Sequence, residues 1–165
     1  MSKRTTRWHR ISIATALLAA LLVPSAASAT ATTAKSTKHA SVVISSRKVG
    51  NLGTILVNSK GLTLYMFVPD KHKRVTCVST CAVIWPPVKL PPGGKIVAKG
   101  KVEAKLLGSD RDPAGGRVVT YDGWPLYTYI SDKKPGQATG QALNLNGGLW
   151  YVLSVSGKVI HKAAM

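Results

Sequence analysis

Two tyrosines and two aspartates recur at one spacing: Tyr65 and Asp70 in LYMFVPDK (residues 64–71), Tyr127 and Asp132 in LYTYISDK (residues 126–133). A phenol as acid and a carboxylate as base could move a proton, provided both reached one pocket. The same groups could instead close a strand end, the phenol burying its ring and the carboxylate accepting backbone N–H bonds just past the strand. Along a strand, Leu64, Met66 and Val68 point one way and Tyr65 and Phe67 the other, and both sets are apolar enough to be covered. That pattern favours a structural role for all four residues and assigns no catalytic one.

Cys77 and Cys81, in CVSTC, are the only cysteines. In an exported chain such a pair most often forms a disulfide. So small a ring removes only about 2 kcal/mol of unfolded-state entropy, and its use would be to stiffen the turn leading into Trp85-Pro86-Pro87. Thiol–disulfide exchange is one competitor. Another is a soft-metal site, in which Cys77 and Cys81 with His72 and Met66 would suit copper as Cu(I). The spacing is not the C-x2-C of zinc sites, and no second Cys/His pair follows. The disulfide is preferred, with no metal or cofactor, and copper stands as the alternative. His39 and His161 lie near the ends and read as solvated.

Other chemistry has little to build on. No G-x-S-x-G elbow occurs, and the glycine-rich PPGGK (91–95) and PAGGR (113–117) lack the following helix that a phosphate loop needs. Trp85, Trp124 and Trp150 could line a carbohydrate-binding face, but core packing is the commoner fate of such residues.

The elements that position these residues begin after a leader. Lys3, Arg4, Arg7 and Arg10 precede an uncharged run of 13 residues, Ile11 to Val23, and then Ala27-Ser28-Ala29. The run would span about 20 Å as a helix, short of a bilayer core. Residues 1–29 therefore read as a secretory signal peptide, with no transmembrane segment left after its removal. Residues 30–47, rich in Thr, Ala, Ser and Lys, read as a disordered tether, and residues 48–162 as a single β domain. Within it, Thr54–Asn58 is expected to pair with Leu62–Val68 across Gly61, and Val118–Tyr121 with Leu126–Ile130 across Asp122-Gly123. Leu149–Val155 is expected to turn at Ser156-Gly157 into a last strand. A short helix is expected near Lys101–Leu107.

An offset of 62 aligns Gly61 with Gly123, Leu64 with Leu126, Tyr65 with Tyr127, Phe67 with Tyr129 and Asp70 with Asp132. Trp85 corresponds to Trp150 after a small insertion. The fold class is thus mainly β: two tandem β-hairpin repeats, 50–90 and 117–160, packed into one small domain around a shared core, with the short helix between them. GTILVNSKGLTLYMFVPDK, CVSTCAVIWPP, VVTYDGWPLYTYISDKKPG and GLWYVL together resemble a secreted bacterial repeat family with a Y-x4-D motif, usually tandem and common in lipoproteins. The resemblance covers about residues 50–157. It implies export and a β-rich repeat, and no established activity. Many relatives carry a lipobox cysteine at the cleavage site, which this sequence lacks, so no lipid anchor is expected.

The full chain carries a formal charge of +17. Removing the leader takes four basic residues and no acidic one, leaving 19 against 6, or +13. Such a field gathers polyanions in a salt-sensitive way. Outside a cell these are anionic cell-wall polymer or a membrane surface. No nucleic-acid reader motif is present, and nucleic acid is not expected as a partner. The sequence thus predicts a secreted or surface-associated, non-catalytic repeat protein, with a metal-binding or electron-transfer accessory as the alternative.

Overall fold

The computed structural model describes residues 40–70 and 74–164. The expected signal peptide lies outside the described residues, as does most of the expected tether. Residues 41–47, expected to belong to the tether, are strand instead. Ser41–Val49 is the strand β1, with Ile44 fully buried. Alternation explains it: Val42 and Ile44 face the core while Val43, Ser45 and Arg47 face outward, which is enough for a half-buried strand despite the serines.

β1 is the middle of a three-stranded sheet. It pairs antiparallel with β2 (Gly53–Asn58), reached through a tight turn at Gly50–Leu52, and parallel with β5 (Lys95–Ala98). After β2 the chain turns where expected. Asn58 Oδ1 accepts the N–H groups of Lys60 and Leu62, and Gly61 takes a φ of 77°. The expected hairpin then stops short. Val57 bridges Thr63 and Leu64 N–H bonds to Leu56 O, after which β3 (Tyr65–Phe67) leaves for a different sheet. There it pairs with β10 (Gly148–Leu153), setting Phe67 opposite Trp150 and Tyr65 opposite Val152. The reason is coverage: all three β3 side chains are buried, so both faces need a layer, and β2 alone cannot supply them.

The only α-helix among the described residues is α1 (Thr80–Ile84), one turn that begins inside the CVSTC element. β4 (Lys89–Leu90) follows Pro86-Pro87. The helix expected over Lys101–Leu107 is a single 3-10 turn, Ala104–Leu106, which gives way at once to the strand β6 (Leu107–Arg111). β6 pairs with β7 (Arg117–Tyr121), and β7 with both β4 and β8 (Trp124–Pro125). The β7–β8 turn is Asp122-Gly123, both at positive φ (49° and 81°), the backbone that lets a two-residue loop follow the strand twist. Asn146-Gly147 does the same between β9 (Asn144–Leu145) and β10. β10 finally turns through Ser154–Gly157 into β11 (Val159–Ile160).

Two apolar clusters result, and β3 separates them by alternation. Tyr65 and Phe67 join Trp85, Tyr127, Trp150 and Val152 on one side. Leu64 and Met66 lie in the other cluster with Ile44, Leu56, Tyr121, Leu126 and Leu153. Each cluster takes residues from both repeats, so neither half owns a core.

Candidate functional site

The repeated Tyr and Asp side chains meet at the seam between the halves. Tyr65 and Tyr127 exchange backbone hydrogen bonds, Tyr65 N–H to Tyr127 O at 2.8 Å and Tyr127 N–H to Tyr65 O at 2.9 Å. Their hydroxyls cross over. Tyr65 donates to Asp132 Oδ2 at 2.6 Å, and Tyr127 donates to Asp70 Oδ2 at 2.5 Å. Each aspartate therefore serves the tyrosine of the other repeat.

The second carboxylate oxygens are also matched. Asp70 Oδ1 accepts from Thr76 N–H and Thr76 Oγ1 at 2.7 and 2.6 Å. Asp132 Oδ1 accepts from Thr139 N–H and Thr139 Oγ1 at 2.9 and 2.6 Å. A threonine six or seven residues past each aspartate thus folds the intervening loop back onto the carboxylate. Sequence reasoning missed both threonines, although aligning the residues that follow each Asp would have shown them.

The aromatic side chains repeat the symmetry. Trp85 and Trp150 stack with ring centroids 3.8 Å apart and planes within 3°. Phe67 stacks on the far face of Trp150 and Tyr129 on that of Trp85, each at 4.2 Å. The result is one column, Phe67–Trp150–Trp85–Tyr129, with equivalent residues at mirrored places. Tyr65 meets Trp85 edge-on at 5.4 Å, and Tyr127 meets Trp150 edge-on at 5.3 Å. Gly140 makes room for the column: a Cβ there would lie 2.7 Å from Trp85 Cη2. The indole N–H groups break the symmetry, for Trp150 Nε1 donates to Leu145 O at 3.0 Å while Trp85 Nε1 has no partner among the described residues.

Burial pushes both tyrosine hydroxyls well above the ordinary phenol value, and the carboxylate beside each pushes further the same way. Burial also raises Asp70, against the opposing pull of the bonds from Thr76 and Tyr127. Tyr65, Tyr127 and Asp70 have no exposed surface and Asp132 is 3% exposed. Phenol and carboxylate are in contact, and both lie beneath the surface. The pairing is also not the one within each motif that a Tyr65/Asp70 or Tyr127/Asp132 acid–base couple would need. Trp85 and Trp150 are equally closed off and offer no carbohydrate-binding face.

Cys77 and Cys81 form a disulfide with Cα atoms 5.2 Å apart. It ties the loop after Asp70 to the first residues of α1, and Cys81 O accepts the N–H of Trp85. Repeat two secures its corresponding loop differently: Gln141 donates to Ile160 O and Lys162 O and accepts from Val152 N–H. The alternative soft-metal set comprises Cys77, Cys81, His72 and Met66. Both sulfurs are bonded to each other, Met66 lies in the opposite apolar cluster, and His72 is outside the described residues. Among the described residues no three His, Cys, Asp or Glu side chains converge. Exposed His161 packs edge-on against Tyr151.

Residues 46–89 and 109–154 each match the family described as a secreted repeat of unknown function. The chain belongs to that family. The two matches cover more than half of the sequence and bracket the two units that share the seam, and the family's description places this protein outside the cytoplasm. No curated protein and no solved structure matches the chain. No helix among the described residues is long and apolar enough to cross a membrane.

Charge is distributed unevenly between inside and outside. Every Lys and Arg among the described residues is exposed. Of the six carboxylate side chains, Asp70, Asp112 and Asp132 are buried and only Asp122 is exposed. Asp112 holds the β6–β7 turn, accepting from Ala114 N–H and from Lys89 Nζ. The surface is therefore more basic than the net charge alone indicates.

Proposed function

We propose that this secreted repeat protein is a non-catalytic module that docks on anionic polymer or lipid surfaces of the cell envelope. The supporting observation is the division of charge: carboxylates are drawn inward to tie strand ends, and the cations are left facing solvent. Half of the negative side chains cannot screen that surface from outside, so its field acts on polyanions at a range set by the Debye length, about 8 Å at physiological salt. The residues best suited to acid–base chemistry support the same reading, because they are spent on the seam.

Retention of the purified protein on isolated cell wall and on anionic vesicles, measured across a salt series, tests this. Retention should fall steeply between low and physiological salt. Retention that does not change with salt would rule the proposal out.

A further inference from the structure

We propose that the outer face of β1 carries a binding site for a phosphate ester borne on a hydroxylated carbon chain; its biological setting rests on the anionic-surface function proposed above. A cavity of about 330 Å³ lies there between two turns, the one after β2 and the one after β5. Arg47, Lys60 and Lys99 contribute three cations to its lining, and no carboxylate lines it. None of the three forms an ion pair among the described residues.

The backbone places each cation. Arg47 points outward from β1, and its guanidinium lies against Gly61, where a Cβ would sit 3.5 Å from Nη2. Lys60 precedes that glycine in the turn that Asn58 holds. Lys99 is fixed across β1 by its N–H bond to Ile44 O at 2.9 Å. Glycine is also required at Gly100, whose φ is +63° and where a Cβ would lie 2.6 Å from Ser46 Oγ.

The neutral groups are donors too. Asn58 lines the cavity, and with its Oδ1 taken by two backbone N–H groups of its own turn, the side-chain group left to bind a ligand is its NH2 donor. Ser46 also lines the cavity, and its Oγ accepts Lys101 N–H. Ser45 adds another hydroxyl. Unpaired cations ringed by N–H and O–H donors match phosphate oxygens, and hydroxyls that can also accept suit a polyol. A carboxylate ligand would satisfy fewer of these donors.

The probe is sn-glycerol 3-phosphate, titrated into the full chain by calorimetry with amide shifts followed by NMR. Binding is expected at or below about 10 mM, with shifts centred on β1 and its two flanking turns. Arg47→Gln, Lys60→Gln and Lys99→Gln together should weaken it by at least about tenfold. Lys105→Gln, Lys133→Gln and Lys158→Gln remove the same charge elsewhere and should change it by less than about threefold. Ser45→Glu, which adds a carboxylate while keeping every cation, should abolish binding and serves if the triple variant unfolds. No binding of the probe, or equal losses from the two triple variants, overturns the site and leaves docking by diffuse charge intact. Salt-independent retention of the wild type overturns docking and leaves the site to be decided by the titration. Poly(glycerol phosphate) resin and phosphatidylglycerol vesicles then separate the two sources of the ester, wall polymer and lipid headgroup.

Discussion

Tyr65 is hydrogen-bonded to Asp132, 67 positions away, and not to Asp70, which lies five positions away in its own motif. The short-range repetition in the sequence is thus a long-range lock in the fold. Double-mutant cycles report it directly. Tyr65→Phe with Asp132→Asn should show a coupling of about 1–3 kcal/mol in urea unfolding, because either single change leaves a buried group without its partner. Tyr65→Phe with Asp70→Asn should be additive to within about 0.5 kcal/mol. A larger coupling within the motif than across the repeats would contradict the crossed arrangement.

Alkali should loosen the seam. Burial first, and the neighbouring carboxylate second, hold Tyr65 and Tyr127 protonated above the usual phenol range. Above about pH 10 an unfolded tyrosine loses its proton while the native one keeps it, so the native state binds more protons there. Stability contributed by these groups is full below pH 10 and falls as pH rises beyond it, by up to about 1.4 kcal/mol per pH unit for each tyrosine. Replacing both with phenylalanine should lower stability at pH 7 and flatten the slope between pH 10 and 11.5. Urea unfolding at half-unit intervals, with phenolate absorbance followed in parallel, checks both effects.

Asp70 works in the opposite pH range. Its folded carboxyl is raised, so the native state holds a proton that the unfolded state has already released. Its contribution is full below the ordinary aspartate value near 4 and is lost as pH rises through the folded one. Asp70→Asn should remove that decline, so the stability profile of the variant across weakly acidic pH should rise relative to wild type as pH increases. A constant difference from pH 3 to pH 7 would refute the shift.

How far the sequence reveals this arrangement depends on the range of each contact. The doubling is legible because Gly61/Gly123, Tyr65/Tyr127 and Asp70/Asp132 keep one offset, and the Asp122-Gly123 turn is legible because its chemistry is local. The crossing of partners is not, since five residues of spacing say nothing about which aspartate faces which phenol. β1 is masked by its serines and Arg47-Lys48, which resemble linker composition although Val42 and Ile44 alternate correctly. The departure of β3 from β2 follows from burial on both faces, a tertiary demand that hairpin spacing does not encode.

The aromatic column is sensitive to one hydrogen atom's worth of space. Gly140→Ala would bring a methyl to 2.7 Å from Trp85 Cη2 and 3.0 Å from Tyr65 Cζ, so both rings must shift. The expected cost is about 1–3 kcal/mol, with loss of the near-ultraviolet circular dichroism of the stacked indoles. Gly136→Ala, where nothing lies within 4 Å of a new Cβ, should cost only the backbone strain of its positive φ and leave the indole signal unchanged.

Reduction should be a local event. Opening Cys77–Cys81 frees a ring closed over four positions, worth about 2 kcal/mol or less. The Cys77→Ser/Cys81→Ser variant should melt a few degrees lower yet keep the indole signal, because Trp85 is also held by Trp150, Tyr129 and Tyr65. Loss of the stack on reduction would show that the disulfide positions the tryptophan.

Reciprocal bonding of Tyr65 to Asp132 and Tyr127 to Asp70 is the pattern two identical subunits make across an isologous dimer interface. Written into one polypeptide, it becomes independent of concentration. A protein released into open medium is diluted without limit, and two separate subunits would come apart there. Here each half always has its counterpart at hand.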